Sequence, residues 1–272
     1  MGVVNVTPDS FSDAGMFLPP DRGIEHALKL LEDGADILDV GGESTRPGAQ
    51  VAETGLPSTD ELQRVLPVIR GILDKAPHAI ISVDTYKARV AREAVNAGAE
   101  IVNDVSAMAW DGMMRHTCAE LGCGAVLMHM RGRPEQWRTL PPIAPQALIK
   151  SVAHELSDAV LAAKDAGIQR DHLAIDPGFG FGKNFEENYP LLAHLDRLHE
   201  LGLPVISGTS RKSFIGKTVA RGGQTPAPDR RLYGTLASVT ASILGGAHIV
   251  RVHDVVAATE AAAVADAILE AA

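Results

Sequence analysis

Nine polar residues stand where short runs of Val, Ile and Leu stop: Asn5, Asp39, Asp84, Asn103, His129, Asp176, Lys212, Arg251 and His253. Loops always carry some polar residues, but hydroxyls are almost missing from this set, and amides, carboxylates and cations fill it. Groups of these types brought to one rim mark a binding or reaction site. Asp84, Asp176 and Asn103 can satisfy a planar edge with several N–H donors and one carbonyl, the edge of a guanine-like or pterin-like ring. Lys212, Arg251, His253 and Arg46 offer positive charge to an anion, and arginine holds phosphate oxygens through paired hydrogen bonds. Asn5 and Asp39 are oxygen donors suited to magnesium, which keeps waters and takes phosphate oxygens. A heterocycle carrying phosphate would use all three sets.

Two motifs need separate reading. DPGFGFGK (176–183) resembles a glycine-rich phosphate loop only superficially, because it lacks the G-x-x-x-x-G-K-[ST] spacing and Phe179 and Phe181 would obstruct one. Those two side chains either wall an aromatic substrate or pack the loop. SRKSFIGK (210–217) places Lys212 and Ser213 at the start of a helix, where free N–H groups and the helix dipole favour a carboxylate or phosphate; ordinary capping by Ser213 is the alternative. His129, between Met128 and Met130, is read as a satisfied strand-end histidine and not as catalytic. The other histidines lack ligand spacing and are read as surface or packing residues. The two cysteines, Cys118 and Cys123, have no second pair to complete a zinc site, so they are expected to be reduced structural thiols.

The elements that must position these residues follow from a weak internal repeat: a Gly-Ala turn, a β-branched run, then a polar residue. Four copies are GADILDVGG (34–42), GAEIVNDV (98–105), GAVLMHM (124–130) and GAHIVRVHDV (246–255). Glycine tolerates the left-handed conformation at a helix end, and a continuous apolar run suits a parallel strand buried on both faces. Further runs are VVNV (3–6), AIISVD (79–84), LAID (173–176) and LPVISG (203–208). Helical periods fall at Ile24–Leu31, Asp60–Lys75 after a Ser58-Thr59 cap, Tyr86–Ala97 after Asp84-Thr85, Gln146–Ala166, Phe185–Leu201, Leu232–Leu244 and Val255–Ala271. Eight alternating βα units of about 34 residues predict an α/β fold, a (β/α)8 TIM barrel in a single domain spanning 1–272. An open doubly wound sheet is the structural alternative. The carboxyl ends of barrel strands share one rim, where the nine polar residues would meet.

Composition narrows the function classes. The 272 residues carry 25 Lys+Arg against 34 Asp+Glu, a formal charge of -9, with 46% apolar and 4% aromatic residues. This balance opposes a broad nucleic-acid surface, which needs clustered cations and interleaved aromatics. No apolar run approaches the ~18 residues of a membrane span, and no signal peptide pattern opens the chain, so a cytoplasmic location without membrane partners is expected.

The ordered motifs MGVVNVTPDSFSDAG, ILDVGGESTRPGA, ISVDTYKA, IVNDVSAM, VLMHMRGRP, AIDPGFGFGK, SGTSRKSFIG and RVHDV, spread over essentially the whole chain, resemble the dihydropteroate synthase family of folate biosynthesis. The resemblance implies a TIM-barrel transferase that joins 6-hydroxymethyl-7,8-dihydropterin diphosphate to 4-aminobenzoate, with Mg2+, a homodimer and competition by sulfonamides. It assigns Asp84, Asn103, Asp176 and Lys212 to the pterin, and Asn5, Arg251 and His253 to diphosphate and magnesium, with Asn5 as the metal residue. Asp84, Asp176, Lys212, Arg251 and His253 form its catalytic set. Asp39 and Asp9 fall at supporting acidic positions. Thr45, Arg46, Pro47, Phe181 and Ser213 match the aminobenzoate pocket, and Thr7, Pro8, Asp9 and Phe11 belong to the first of two mobile loops (7–17 and 41–56).

Three departures from the family pattern stand out. Met1 coincides with the motif's own Met, without the leader the family usually has; Ala14 replaces a loop glycine; and the second loop is a few residues longer. Two rival readings remain at this level. A methyltetrahydrofolate-binding methyltransferase domain would keep the pterin carboxylates but has no use for Lys212 in SRKS or for Arg251-Val252-His253. A catalytically silent pterin-binding paralogue would have lost rim residues, and none is lost here.

Overall fold

The computed structural model describes residues 1–7, 20–43, 56–137 and 139–271. The apolar runs form eight strands among the described residues: β1 Gly2–Asn5, β2 Ile37–Gly41, β3 Ile80–Asp84, β4 Ile101–Asp104, β5 Gly124–Met128, β6 Leu173–Asp176, β7 Ile206–Ser207 and β8 Ile249–Val250. The helices are α1 Pro20–Glu32, α2 Ser58–Lys75, α3 Ala88–Asn96, α4 Met114–Leu121, α5 Pro145–Asp165, α6 Asn188–Ala193, α7 Ser213–Thr218, α8 Leu232–Leu244 and α9 Val255–Glu270. Strand and helix therefore alternate through all eight strands, as the repeat predicts.

The chain divides into two compact units, Met1–Val126 with Ala162–Leu173, and Leu127–Leu161 with Ala174–Ala272. In the first, β1 pairs with β2, β2 with β3 and β3 with β4, all parallel. Val3 and Val4 point to opposite faces of β1 and both are buried, which explains why these strands read as unbroken apolar runs. One side is covered by helices that bury Ile24, Ala27 and Leu30 of α1, Leu62, Val65, Ile69 and Ile72 of α2, and Val90, Ala91 and Ala94 of α3. In the second unit, the end of β5 lies beside β6, the His129 N–H donating to the Asp176 carbonyl at 2.8 Å. Ile175 of β6 bridges Val205 in parallel, and β7 pairs in parallel with β8.

The glycine turns work at three of the four repeat copies. Gly34, Gly98 and Gly246 have φ of 99°, 111° and 90°, the region that favours glycine, directly before their strands. The third copy differs: Gly122 is the left-handed cap of α4, with φ 62°, and Gly124 opens β5. Two capping expectations are also corrected. Ser58 is the first residue of α2 behind Pro57 and makes no side-chain cap. Helix α3 begins at Ala88, whose N–H donates to Asp111 Oδ2 at 2.8 Å, a cap supplied by a residue distant in sequence.

The single helix expected over Phe185–Leu201 is instead a 3-10 turn Phe185–Glu187, the short α6, and a 3-10 helix Leu195–Leu201. Leu195, Leu198 and Leu201 are three apart, so a helix with three residues per turn stacks them on one side, and Leu195 and Leu198 are buried. Gly98→Ala would force a side chain into a positive-φ position with Leu73 Cδ1 only 2.4 Å from the new carbon. It is expected to destabilise the fold by about 1–3 kcal/mol. Gly112→Ala meets nothing within 4 Å and should stay within about 0.5 kcal/mol; equal melting shifts for the two variants would contradict this account.

Candidate active site

The first unit aligns its strand ends through register. Asn5 of β1 is opposite Gly41 of β2, Gly41 opposite Asp84 of β3, and Asp84 opposite Asn103 of β4. A carbon added at Gly41 would lie 3.4 Å from Asp84 Cβ and 3.6 Å from its Oδ2, so the missing side chain gives the Asp84 carboxylate its room. Two residues back on β2, Asp39 is fully buried, and Asn103 Nδ2 donates to its Oδ2 at 3.0 Å. That bond orients the Asn103 amide from below. Thr7 is buried just past β1. Pro8, Asp9, Phe11, Thr45, Arg46 and Pro47 lie outside the described residues.

Around this row sits an ion cluster absent from the sequence reading. Lys87 Nζ lies 2.5 Å from both Glu43 Oε2 and Glu61 Oε2. Glu43 Oε1 also accepts the Leu56 N–H at 2.9 Å and the Tyr86 hydroxyl at 3.2 Å, while Arg64 donates to the Gly42 carbonyl at 2.8 Å. Burial raises the Glu61 pKa, and the Lys87 ammonium opposes that. Glu61 occupies the apolar stripe of α2 with Val65, Val68 and Ile72, and a carboxylate in such a stripe was the readable signal.

In the second unit, Asp176 ends β6 with 6% of its surface exposed. Burial pushes its pKa up; the Gly178 N–H, donating to Oδ1 at 2.6 Å, and the charges of Lys212, Arg251 and Lys183 oppose this. Gly208, just past β7, leaves space: a carbon there would stand 3.7 Å from Asp176 Oδ2 and 4.0 Å from Arg251 Cβ. Lys212 caps α7 by position, and its Nζ lies 4.0 Å from the centroid of the Phe181 ring. Phe181 meets Trp137 edge-on at 5.6 Å, whereas Phe179 is buried against Phe214. The two phenylalanines thus divide the roles proposed for them, one packing and one facing the lysine. Ser213 is exposed in the first turn of α7 and makes no side-chain cap.

The cationic residues are held by their neighbours. His253 Nδ1 lies 3.0 Å from Ser210 Oγ, and the His253 N–H donates to the same oxygen at 3.2 Å. One residue along each loop, Arg211 grips Asp254 with Nε at 3.0 Å and Nη2 at 2.5 Å. Arg211 has φ 58°, an unusual conformation kept by its N–H to Thr235 Oγ1 and its carbonyl to Arg231. The structure therefore gathers Asp176, Phe181, Lys212 and Arg251 by charge and contact, and pins His253 by Ser210.

The DPGFGFGK loop holds a residue the sequence reading passed over. Lys183 is buried, and its Nζ lies 2.9 Å from His129 Nδ1 and from the Gly178 carbonyl. His129 Nε2 in turn lies 3.2 Å from Glu155 Oε2. Burial lowers the Lys183 pKa to about 7; burial and the lysine charge lower that of His129 to about 4; and the bond from His129 lowers that of Glu155 to about 2. A lysine closing an otherwise uncharged loop of glycines and phenylalanines was the available hint. Cys118 and Cys123 are buried and free, in keeping with structural thiols.

Among the described residues no group of three His, Cys, Asp or Glu could hold a metal. The Asn5 side chain at the end of β1 carries an amide oxygen, a donor of the kind magnesium accepts.

Parallel strands alternating with helices, with carboxylates, amides and cations at the carboxyl ends, are the architecture of an α/β enzyme. A family model described as pterin binding enzyme matches residues 1–253, and the chain belongs to that family. It is 42% identical over 271 residues to dihydropteroate synthase of Escherichia coli K12, covering 100% of this chain and 92% of that one. The Streptococcus pyogenes serotype M3 enzyme of the same name is 43% identical, covering 97% and 93%. Among solved structures, Xanthomonas albilineans dihydropteroate synthase with 4-aminobenzoic acid matches at TM-score 0.88 and 43% identity, over 98% of this chain and 92% of that one. The Yersinia pestis enzyme in a sulfonamide drug complex matches at TM-score 0.89 and 38% identity, over 100% and 93%. The fold class is thus that of these enzymes, the (β/α)8 barrel expected from the repeat.

His129 should remain neutral on acidification, because its folded pKa lies below the ordinary histidine value near 6.5. The unfolded chain binds this proton first, so stability falls as pH drops from that value toward about 4. Imidazole NMR is expected to show no titration of His129 between pH 8 and about 5. A His129 midpoint near the ordinary value of 6.5 would contradict the buried chain.

Proposed function

We infer that the chain catalyses the dihydropteroate synthase reaction, condensing 6-hydroxymethyl-7,8-dihydropterin diphosphate with 4-aminobenzoate to give 7,8-dihydropteroate and diphosphate. The observation that carries this is full-length identity of 42% with an enzyme of that name, joined to strand ends whose groups suit each part of the substrate. In this reading Asp84, Asn103, Asp176 and Lys212 bind the pterin, Asp176 accepting from the 2-amino and N3 side. Asn5, Arg251 and His253 bind the diphosphate, and Thr7, Pro8, Asp9, Phe11, Thr45, Arg46, Pro47, Phe181 and Ser213 receive the aminobenzoate. The same reading takes 1–272 as a single domain.

The methylene C–O bond breaks first, its electron pair leaving with diphosphate. The reduced pterin delocalises the positive charge that remains, and Asp84 and Asp176 stabilise it. The amine nitrogen then forms the C–N bond and releases a proton to solvent. Diphosphate departs as an anion, so Lys212, Arg251 and His253 assist by positive charge and no side-chain nucleophile is required. Bound Mg2+, with Asn5 as protein ligand, would add charge neutralisation on the diphosphate. Water excluded from the site cannot capture the cation before the amine does.

The Yersinia pestis structure in a sulfonamide drug complex supports the same competition here. A homodimer is supported by α9, where Val264, Ile268 and Leu269 are exposed. Among the described residues no helix is long and apolar enough to cross a membrane; in this reading the enzyme is cytoplasmic and its partners are small molecules.

Diphosphate release should require both substrates and magnesium and should yield dihydropteroate. Arg251→Ala should weaken pterin diphosphate binding on the order of tenfold or more while leaving the pterin alone nearly unaffected. Release without 4-aminobenzoate, or equal losses for both ligands in the variant, would overturn these assignments.

A further inference from the structure

Phe181 stands in its loop between Gly180 and Gly182, so no side chain of an adjacent residue steadies its ring. Its backbone is held from two sides. The Phe181 carbonyl accepts from the Arg131 N–H at 3.4 Å and from Lys183 Nζ at 3.3 Å, and a carbon on Gly182 would lie only 1.9 Å from the Arg131 carbonyl oxygen. The segment that follows β5 and the loop that follows β6 are therefore pressed backbone to backbone, and the side chains of one are set against those of the other.

From outside its own loop the Phe181 ring meets Lys212, whose Nζ lies 4.0 Å from the ring centroid, and Trp137, which stands edge-on with centroids 5.6 Å apart and planes at 90°. Edge-on pairs favour a narrow set of placements, because ring edges are positive and ring faces negative. Trp137 is in turn fixed by its own turn. Residues Pro134–Gln136 form a 3-10 turn in which Gln136 Oε1 accepts the Arg133 N–H at 2.9 Å. The Trp137 N–H donates to the Pro134 carbonyl and its indole Nε1–H to the Gly132 carbonyl, both at 3.4 Å. Trp137 lies three residues past VLMHMRGRP and outside every motif that carries the family resemblance, so the resemblance assigns it nothing.

We infer that Trp137 is a positioning residue for 4-aminobenzoate: its indole, fixed on the 132–137 turn, holds the Phe181 ring where that ring lines the aminobenzoate pocket. Trp137 acts through Phe181 and touches no reacting atom. Lys212 also holds the ring, but its ammonium is assigned to the pterin and so serves two ends. The indole serves one, and its place is set by the backbone before either substrate binds. This inference rests on the assignment of Phe181 to the aminobenzoate.

The test is steady-state diphosphate release with each substrate varied in turn at saturation of the other. Trp137→Ala should raise the KM for 4-aminobenzoate about three- to tenfold, the range that an edge-on aromatic pair carries, while kcat and the KM for pterin diphosphate stay within about twofold of wild type. Trp137→Phe, which keeps a ring at the position, should recover part of the loss. In a Phe181→Ala background the Trp137→Ala change should add nothing further, because the ring it positions is gone. Equal rises in both KM values, or the same factor with and without the Phe181 ring, would mean that Trp137 only supports the fold and would overturn the inference. If Trp137→Ala does not fold, Trp137→Leu, which keeps bulk without a ring edge, goes through the same cycle with the same outcomes. Phe181→Ala by itself separates the two levels: a wild-type KM for 4-aminobenzoate there would remove the pocket assignment and the inference with it. A raised KM in Phe181→Ala beside an unchanged one in Trp137→Ala would remove the inference alone.

Discussion

A carboxylate with almost no access to water, Asp176, sets the terms for its half of the molecule. Burial favours its neutral form, and a neutral acid would offer a donor where the proposed ligand also offers donors. The chain answers with one backbone N–H and three cations, drawn from the loop after β6, the start of α7 and the end of β8. Each cation needs its own support: Lys183 has carbonyls and His129, Lys212 has the Phe181 ring, and the loops around Lys212 and Arg251 are joined by the Arg211–Asp254 and Ser210–His253 pairs.

Space is the second constraint, and glycine meets it in both units. Gly41 makes room for Asp84, and Gly208 makes room for Asp176 and Arg251. A polar group needs both a fixed backbone and a vacant neighbour if a planar ring is to reach it. Parallel register supplies the first, as in the row Asn5, Gly41, Asp84 and Asn103. Chemistry then follows from strand pairing more than from any one loop.

Much of this was legible in the sequence. The strand runs, the polar residues that end them and helix α8 at Leu232–Leu244 fall where periodicity puts them, because burial on both faces leaves an unbroken apolar signature. The missing features depend on long-range contact. Asp111 caps α3 from 23 residues away, and Lys87 joins glutamates from two other segments. Neither pairing leaves a local pattern. The broken helix at 185–201 was misread because leucines three apart suit a 3-10 helix as well as part of an α-helical face. Lys183 reaches His129, 54 residues away, and so its place is set by a contact that the spacing of its own motif does not carry. His129 stands outside the expected catalytic set, and its place beside Lys183 depends on a fold-back that spacing does not reveal.

The central claim is that burial in a nearly dry site raises the Asp176 pKa, against the pull of one backbone N–H and the neighbouring cations. Carbon NMR of protein labelled at the aspartate carboxyls, with Asp176→Asn to assign the signal, observes that state directly. A titration midpoint above the ordinary aspartate value near 3.8 in the free protein is the result this account predicts. A midpoint at or below that value would contradict it.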